Sequence, residues 1–209
     1  MSSRWSTGRW LPAALTCVAT SGMAATVTVQ VRDTTGRALA DAVVVLDSLE
    51  HVSAATHDSA QIDQVNQQFV PHVTVIRTGT SMAFPNSDRV RHQVYSFSPA
   101  NTFALKLYAG SPKTLVPFDK PGLVTMGCNI HDAMVAFVAV VDSPYFGKTG
   151  NLGALELKVP AGRYRLRVWQ ETAAKAYRSE PVTVGADPLN LPVTLEAGNN
   201  TGIAAAWPE

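Results

Sequence analysis

Short apolar stretches with polar residues at every second position recur along the chain. Val27, Val29 and Val31 alternate with Thr28, Gln30 and Arg32, as in a strand with one buried face. Asp33-Thr-Thr-Gly36 then carries a turn signal, and Ala42 to Leu46 forms a second apolar run. From Val70 to Phe103 come further short strands rich in Val, Thr, Tyr and Phe, punctuated by Thr78-Gly79, Phe84-Pro85-Asn86 and Ser98-Pro99-Ala100. After Pro144 a new series begins: Ala154 to Val159, the turn Pro160-Ala161-Gly162, then Tyr164, Leu166 and Val168 on one face. Ser53 to Gln68 stands apart, because Ile62, Val65 and Phe69 are spaced at three and four and predict a short helix or an ordered loop. Regular strands with Gly/Pro turns predict an all-β chain of β-sandwich architecture throughout.

Composition permits this. The 209 residues are 46% hydrophobic and 16% charged, enough apolar material for one large or two small domains. A net charge of +1 gives no reason to expect a nucleic-acid partner. The first 25 residues carry Arg4 and Arg9, an apolar run from Trp10 to Ala19, and the small residues Ser21, Gly22, Ala24 and Ala25. This pattern predicts a secretory signal over 1–25 and a periplasmic protein, since the run falls short of the roughly 20 residues that span a bilayer. No other segment is long enough for a membrane helix. The alternative is a lipoprotein processing site at Leu15-Thr16-Cys17, where Thr is a poor fit before the cysteine.

With Cys17 inside the signal, Cys128 becomes the one thiol of the processed chain. A single cysteine in an oxidising compartment cannot staple its own fold, and it oxidises unless buried or metal-bound. Cys128-Asn-Ile-His131-Asp-Ala-Met134 therefore carries the most chemistry of any segment. It places a thiolate, an imidazole and a thioether in one turn-sized loop, and His92 upstream offers a second imidazole. Two His, one Cys and a weak axial Met are the donor set of an electron-transfer copper site. In the strand pattern, Gly127 and Cys128 end one strand and Met134 through Val141 form the next, so the loop sits on a rigid frame. His92 falls near the start of a strand able to pack against the Cys128 strand.

The spacing Cys-x-x-His-x-x-Met with a distant upstream His resembles the cupredoxins, amicyanin and pseudoazurin in particular. Gln64-x-Asn66-x-x-Phe69-x-Pro71, Phe84-Pro-Asn86-x-Asp88, His92-x-Val-Tyr-Ser-Phe-Ser98, Phe118-x-x-Pro-Gly122 and Gly127-Cys-Asn-Ile-His-Asp132 resemble secreted bacterial cupredoxin-domain proteins labelled methylamine utilisation proteins. The resemblance covers residues 60 to 145 and implies a Greek-key β-sandwich binding one copper through His92, Cys128, His131 and Met134. Two departures stand out: Asn129-Ile130 replaces a proline-containing dipeptide, and Ala133 stands where relatives carry Trp. Thr26 to Ser48 and Val159-Pro-Ala-Gly162-x-Tyr164-x-Leu166-x-Val168 resemble the opening and closing strands of transthyretin-like or carboxypeptidase-regulatory-like domains. That implies a cupredoxin domain over 60–145 inserted into a small sandwich made of 26–50 and 150–196.

Other residues have plainer readings. Met82 and Met126 lie out of ligand register and read as core. His51, His57 and His72 lack metal spacing and read as surface or polar-network residues, with a second metal at His57-Asp58 as the alternative. Arg163, Arg165 and Arg167 alternate on one strand face, a solvated row or a docking stripe for an acidic redox partner. The expected function is single-electron transfer between secreted partners such as a c-type cytochrome or a periplasmic dehydrogenase, without catalysis. A copper carrier or metallochaperone and a non-redox binding module are the alternatives. Five histidines are few for a copper oxidase or nitrite reductase, and one cysteine excludes a binuclear purple centre. Zinc would fit His₂Cys, but Met is a poor zinc ligand.

Overall fold

The computed structural model describes residues 24–50 and 58–198. Every regular element among these residues is a strand, as the sequence pattern predicts. The strands form four sheets of three or more members and one two-stranded hairpin.

In the first sheet Ala25–Asp33 lies between Ala154–Val159, antiparallel, and Leu189–Leu195, parallel. The second is ordered Phe146–Lys148, Val43–Ser48, Gly162–Trp169, with Tyr177–Arg178 and Val182–Val184 both paired to Gly162–Trp169. The third runs Val73–Arg77, Val135–Val141, Gly122–Gly127, Tyr95–Ser98, Asn101–Ala104. A fourth, of Val116–Phe118, Thr80–Ala83 and Ser59–Gln61, faces it. We call the first two terminal sheets and the last two central sheets, after their order along the chain.

Three apolar cores separate these four layers. Val27, Val29 and Val31 meet Val44, Leu46, Leu166 and Val168 between the terminal sheets. Met82, Phe84 and Phe118 meet Val124, Met126, Val138 and Val140 between the central ones. A seam of Val43, Val45 and Trp169 against Val73, Phe137, Ala139 and Val141 joins the second and third sheets back to back. Two-sided burial explains why Val43–Ser48 and Val135–Val141 lack alternation while Ala25–Asp33 has it. Lys148 Nζ lies at the edge of the seam, donating to Asp41 Oδ1 at 2.6 Å and to the Val73 carbonyl at 2.7 Å.

The short helix or ordered loop expected over Ser53 to Gln68 is mostly strand over its described part. Ser59–Gln61 and Asp63–Val65 are strands, and the latter turns at Asn66 and Gln67 into Gln68–Val70. Residues 53–57 lie outside the described set. The true period is two, because Ile62 and Gln64 are both fully buried. A glutamine on the inward face breaks the apolar alternation by which a strand is recognised.

Candidate metal centre

The Cys128 loop is closed by backbone hydrogen bonds. Gly122–Gly127 pairs with Val135–Val141 up to Gly127↔Val135, and beyond that pair the Cys128 N–H donates to the Met134 carbonyl at 3.2 Å. The Met134 N–H donates back to the His131 carbonyl at 2.9 Å, a tight turn that brings Cys128, His131 and Met134 to one end of the central sandwich. The Ile130 N–H points at Cys128 Sγ at 3.5 Å. Cys128 and Met134 are both buried in the central core.

His92 arrives on a separate ribbon. It exchanges two backbone hydrogen bonds with Tyr108, each 3.0 Å, just before Tyr95–Ser98 joins the third sheet through Tyr95↔Gly127. The imidazole is fully buried, with Nδ1 at 3.9 Å from Cys128 Sγ and its ring centroid 5.0 Å from that of His131. Ligand atoms of His92, Cys128 and His131 all lie within 4.8 Å of one another. His131 Nδ1 is buried and has no hydrogen-bond partner in the protein. An orphan nitrogen beside a thiol and a second imidazole is costly to leave unpaired, and a bound metal would satisfy it. The donor set suits copper, and Met134 adds a buried thioether on the same loop.

Behind His92 lies a polar network in which Gln64, Asn66, Asn86 and Asp88 stand in the sequence motifs without a role assigned to them. His92 Nε2 meets Asp88 Oδ2 at 2.8 Å. Asp88 also accepts the Asn66 and Gln67 N–H groups at 2.6 and 2.8 Å. Those two residues have φ of 52° and 58°, the left-handed pair of a tight hairpin turn. Burial pushes the Asp88 carboxyl up, but hydrogen bonds from Gln67, His92 and Asn66 outweigh it and hold the group below its usual value. The Asn86 amide donates to the carbonyls of Val90 at 2.9 Å and Tyr108 at 3.1 Å, clamping the ribbon on which His92 sits. Gln64 Nε2 donates to the Tyr108 hydroxyl at 2.6 Å, which donates in turn to the Phe84 carbonyl at 2.6 Å. Burial pushes the Tyr108 hydroxyl up to about 12; the Gln64 bond opposes this, while Cys128 and Asp63 add to it. Tyr108 is not legible in the sequence, since an isolated Tyr in a strand-rich segment carries no signal.

The remaining candidates fall elsewhere. Met82 and Met126 are fully buried core residues. His72 contacts Glu171 at 2.5 Å and sits edge-on to Phe137, remote in topology from the Cys128 loop. His51 and His57 lie outside the described residues. In the arginine row, Arg167 forms two hydrogen bonds to Asp47, at 2.5 and 2.9 Å, so it is tied to the neighbouring strand.

No protein-family model and no curated protein sequence matches this chain. Several solved structures are similar to part of it. A Cu-containing nitrite reductase from Thermus scotoductus is 21% identical over 46% of this chain and 27% of its own, with a TM-score of 0.38. This chain thus spans about a quarter of that enzyme. A purple cupredoxin from Nitrosopumilus maritimus is 21% identical over 39% of this chain and 99% of its own, with a TM-score of 0.35. Amicyanin from Paracoccus versutus is 16% identical over 47% of this chain and 97% of its own, again with a TM-score of 0.35.

Proposed function

We propose that this chain is a periplasmic mononuclear type 1 copper protein carrying single electrons between secreted redox partners. The observation that carries the reading is the convergence of His92, Cys128 and His131, with His131 Nδ1 buried and unpartnered among them. His92 Nδ1, Cys128 Sγ and His131 Nδ1 would hold the ion, and Met134 would add a weak thioether donor. Copper supplies a Cu(II)/Cu(I) couple of one electron.

The protein's part is to keep the donors still. Cys128 and His131 are held by the backbone bonds at the loop's base, and His92 by the Asn86 clamp and Asp88. Ligands that do not move keep reorganisation small when charge changes. His131 is partly exposed and is the natural edge for electron entry from a c-type cytochrome or a periplasmic dehydrogenase. We assign no catalytic residue. We also propose that the central sheets are a copper domain inserted into a terminal sandwich whose role is structural.

An optical and EPR spectrum of the processed protein with one equivalent of Cu(II), repeated after ascorbate, tests the reading. An intense visible thiolate-to-copper band that bleaches and returns on reoxidation is expected. Cys128→Ser should abolish that band and leave the fold intact by circular dichroism. A wild-type protein that holds only Cu(I) would instead favour a copper carrier, and a colourless one with ordinary Cu(II) EPR a carrier or a non-redox binding module.

A further inference from the structure

The Asp88–His92 pair has a chemistry of its own. His92 is fully buried, its Nε2 faces a carboxylate oxygen at 2.8 Å, and its Nδ1 faces the Cys128 sulfur at 3.9 Å. An ionised carboxylate only accepts hydrogen bonds. A neutral imidazole in this position must therefore carry its proton on Nε2, which leaves the Nδ1 lone pair aimed at the thiol. The opposite tautomer would set the bare nitrogen of a fully buried imidazole against an anion.

The carboxylate is itself fixed. Its Oδ1 accepts the Asn66 N–H, and its Oδ2 accepts the Gln67 N–H as well as the imidazole. Both donors belong to residues with positive φ, a backbone conformation that disfavours residues with an ordinary side chain. Gln67 has the side chain of neither a glycine nor an asparagine to ease it. Two charge-assisted bonds to Asp88 offset that cost, so hairpin and carboxylate hold each other in place. The Asp88 backbone N–H also donates to Asn86 Oδ1 at 3.0 Å, which ties the same residue to the clamp on the His92 ribbon.

We infer that Asp88 is a positioning residue that presets the His92 tautomer before any metal arrives and, through the imidazole, favours the oxidised over the reduced ion. This rests on the copper reading for its second half only. The carboxylate draws the Nε2 proton toward itself and makes Nδ1 a stronger donor, and a stronger nitrogen donor stabilises Cu(II) more than Cu(I). Asp88→Asn keeps the size of the side chain and an accepting oxygen but removes the charge.

Two measurements test this. The first is a long-range proton–nitrogen correlation spectrum of the ¹⁵N-labelled, metal-free wild-type protein at neutral pH. It should place the His92 proton on Nε2; a proton on Nδ1 overturns the inference. The second is the midpoint potential of copper-loaded Asp88→Asn. If losing the charge weakens Cu(II) binding about tenfold more than Cu(I) binding, the low end of the usual outer-shell effect, the potential rises by about 59 mV. An unchanged potential in a folded variant would mean that Asp88 only braces the hairpin, and would overturn the tuning role. Should Asp88→Asn fail to fold, the wild-type tautomer still decides. Should the wild type bind no copper, the proposed function fails while the tautomer result stands by itself.

Discussion

The core between the terminal sheets and the core between the central sheets are both lined by Val, Leu and aromatic residues, yet they treat buried polar groups differently. In the terminal half the buried hydroxyls act as staples: Thr149 Oγ1 donates to the Leu39 carbonyl at 2.7 Å and accepts the Ala42 N–H, and Ser143 Oγ donates to the Leu46 carbonyl. In the central half Gln64, Asn86 and His92 are buried at one end, where Gln64 Oε1 and His131 Nδ1 have no protein partner. Unpaired buried groups lower stability. A fold retains them where they face something the protein alone does not supply. The terminal sandwich pairs these buried hydroxyls internally, whereas the central one leaves Gln64 Oε1, His131 Nδ1 and Thr74 Oγ1 without a protein partner, the first two at the end of the proposed metal centre.

The sharpest way to break this comparison is to cut the seam that joins the two halves. Trp169 is fully buried, and its ring lies 5.2 Å from that of Phe137 across the layers. Trp169→Ala should cost about 3–5 kcal/mol, read from the midpoint of urea unfolding. In the wild type, tryptophan fluorescence and far-ultraviolet circular dichroism should give coincident transitions. Separate transitions in the wild type would mean that the seam does not couple the halves. The same seam protects the return segment from Pro144 to Asn151, which as a bare domain boundary would be cleaved by protease. Phe146–Lys148 pairs with Val43–Val45, and Thr149 is buried, so this segment should resist limited trypsin digestion under native conditions.

A smaller effect is expected at the site end. Asn86→Ala removes both amide bonds that clamp the His92 ribbon; the Val90 carbonyl loses this donor, and the Tyr108 carbonyl keeps only the His92 N–H. The loss should be about 1–3 kcal/mol. It should also broaden the Cu(II) EPR lines as His92 loses its fixed position. Leu166→Ala in the terminal core, by contrast, should destabilise the protein and leave the EPR spectrum of the folded fraction unchanged.

The two halves also differ in how legible they are. Ala25–Asp33 and Gly162–Trp169 bury one residue in two over most of their length, so alternation alone locates them. Ala154–Val159 has the bounds that the sequence pattern predicts. The Cys128, His131 and Met134 loop is legible because spacing within a turn is local information. Pairing His92 with it rests on the donor set, which needs a second imidazole, because 36 residues separate it from Cys128 and only tertiary folding brings them together. Asp88 and Tyr108 were illegible for the same reason: their roles are hydrogen bonds between loops. Ser59 to Val65 was misread because Gln64, a buried polar residue serving Tyr108, erased the apolar period. Polar residues recruited for the central end are what obscure its strands.

The smallest effect belongs to the terminal half and concerns pH. Asp33 closes the turn after Ala25–Asp33, accepting bonds from the Thr35 hydroxyl at 2.6 Å, the Thr35 N–H at 2.9 Å, the Arg37 N–H at 3.0 Å and Arg37 Nε at 3.0 Å. The Thr35 hydroxyl is the largest influence; burial opposes it, the Arg37 bonds reinforce it, and the carboxyl falls from 3.8 to about 2. A carboxyl held low in the folded state contributes stability that is fully present above its unfolded value and disappears as pH falls through its folded value. Between pH 4 and pH 2 the wild type should therefore lose urea resistance at this turn, and Asp33→Asn should lose less over the same interval. The comparison is read as the difference in urea midpoint between pH 5 and pH 2.5 for each protein. Equal differences would mean that the turn's charge is already compensated in the unfolded chain. A larger fall in Asp33→Asn would place the acid-sensitive group elsewhere, with the partly buried Asp88 of the central half the first to examine.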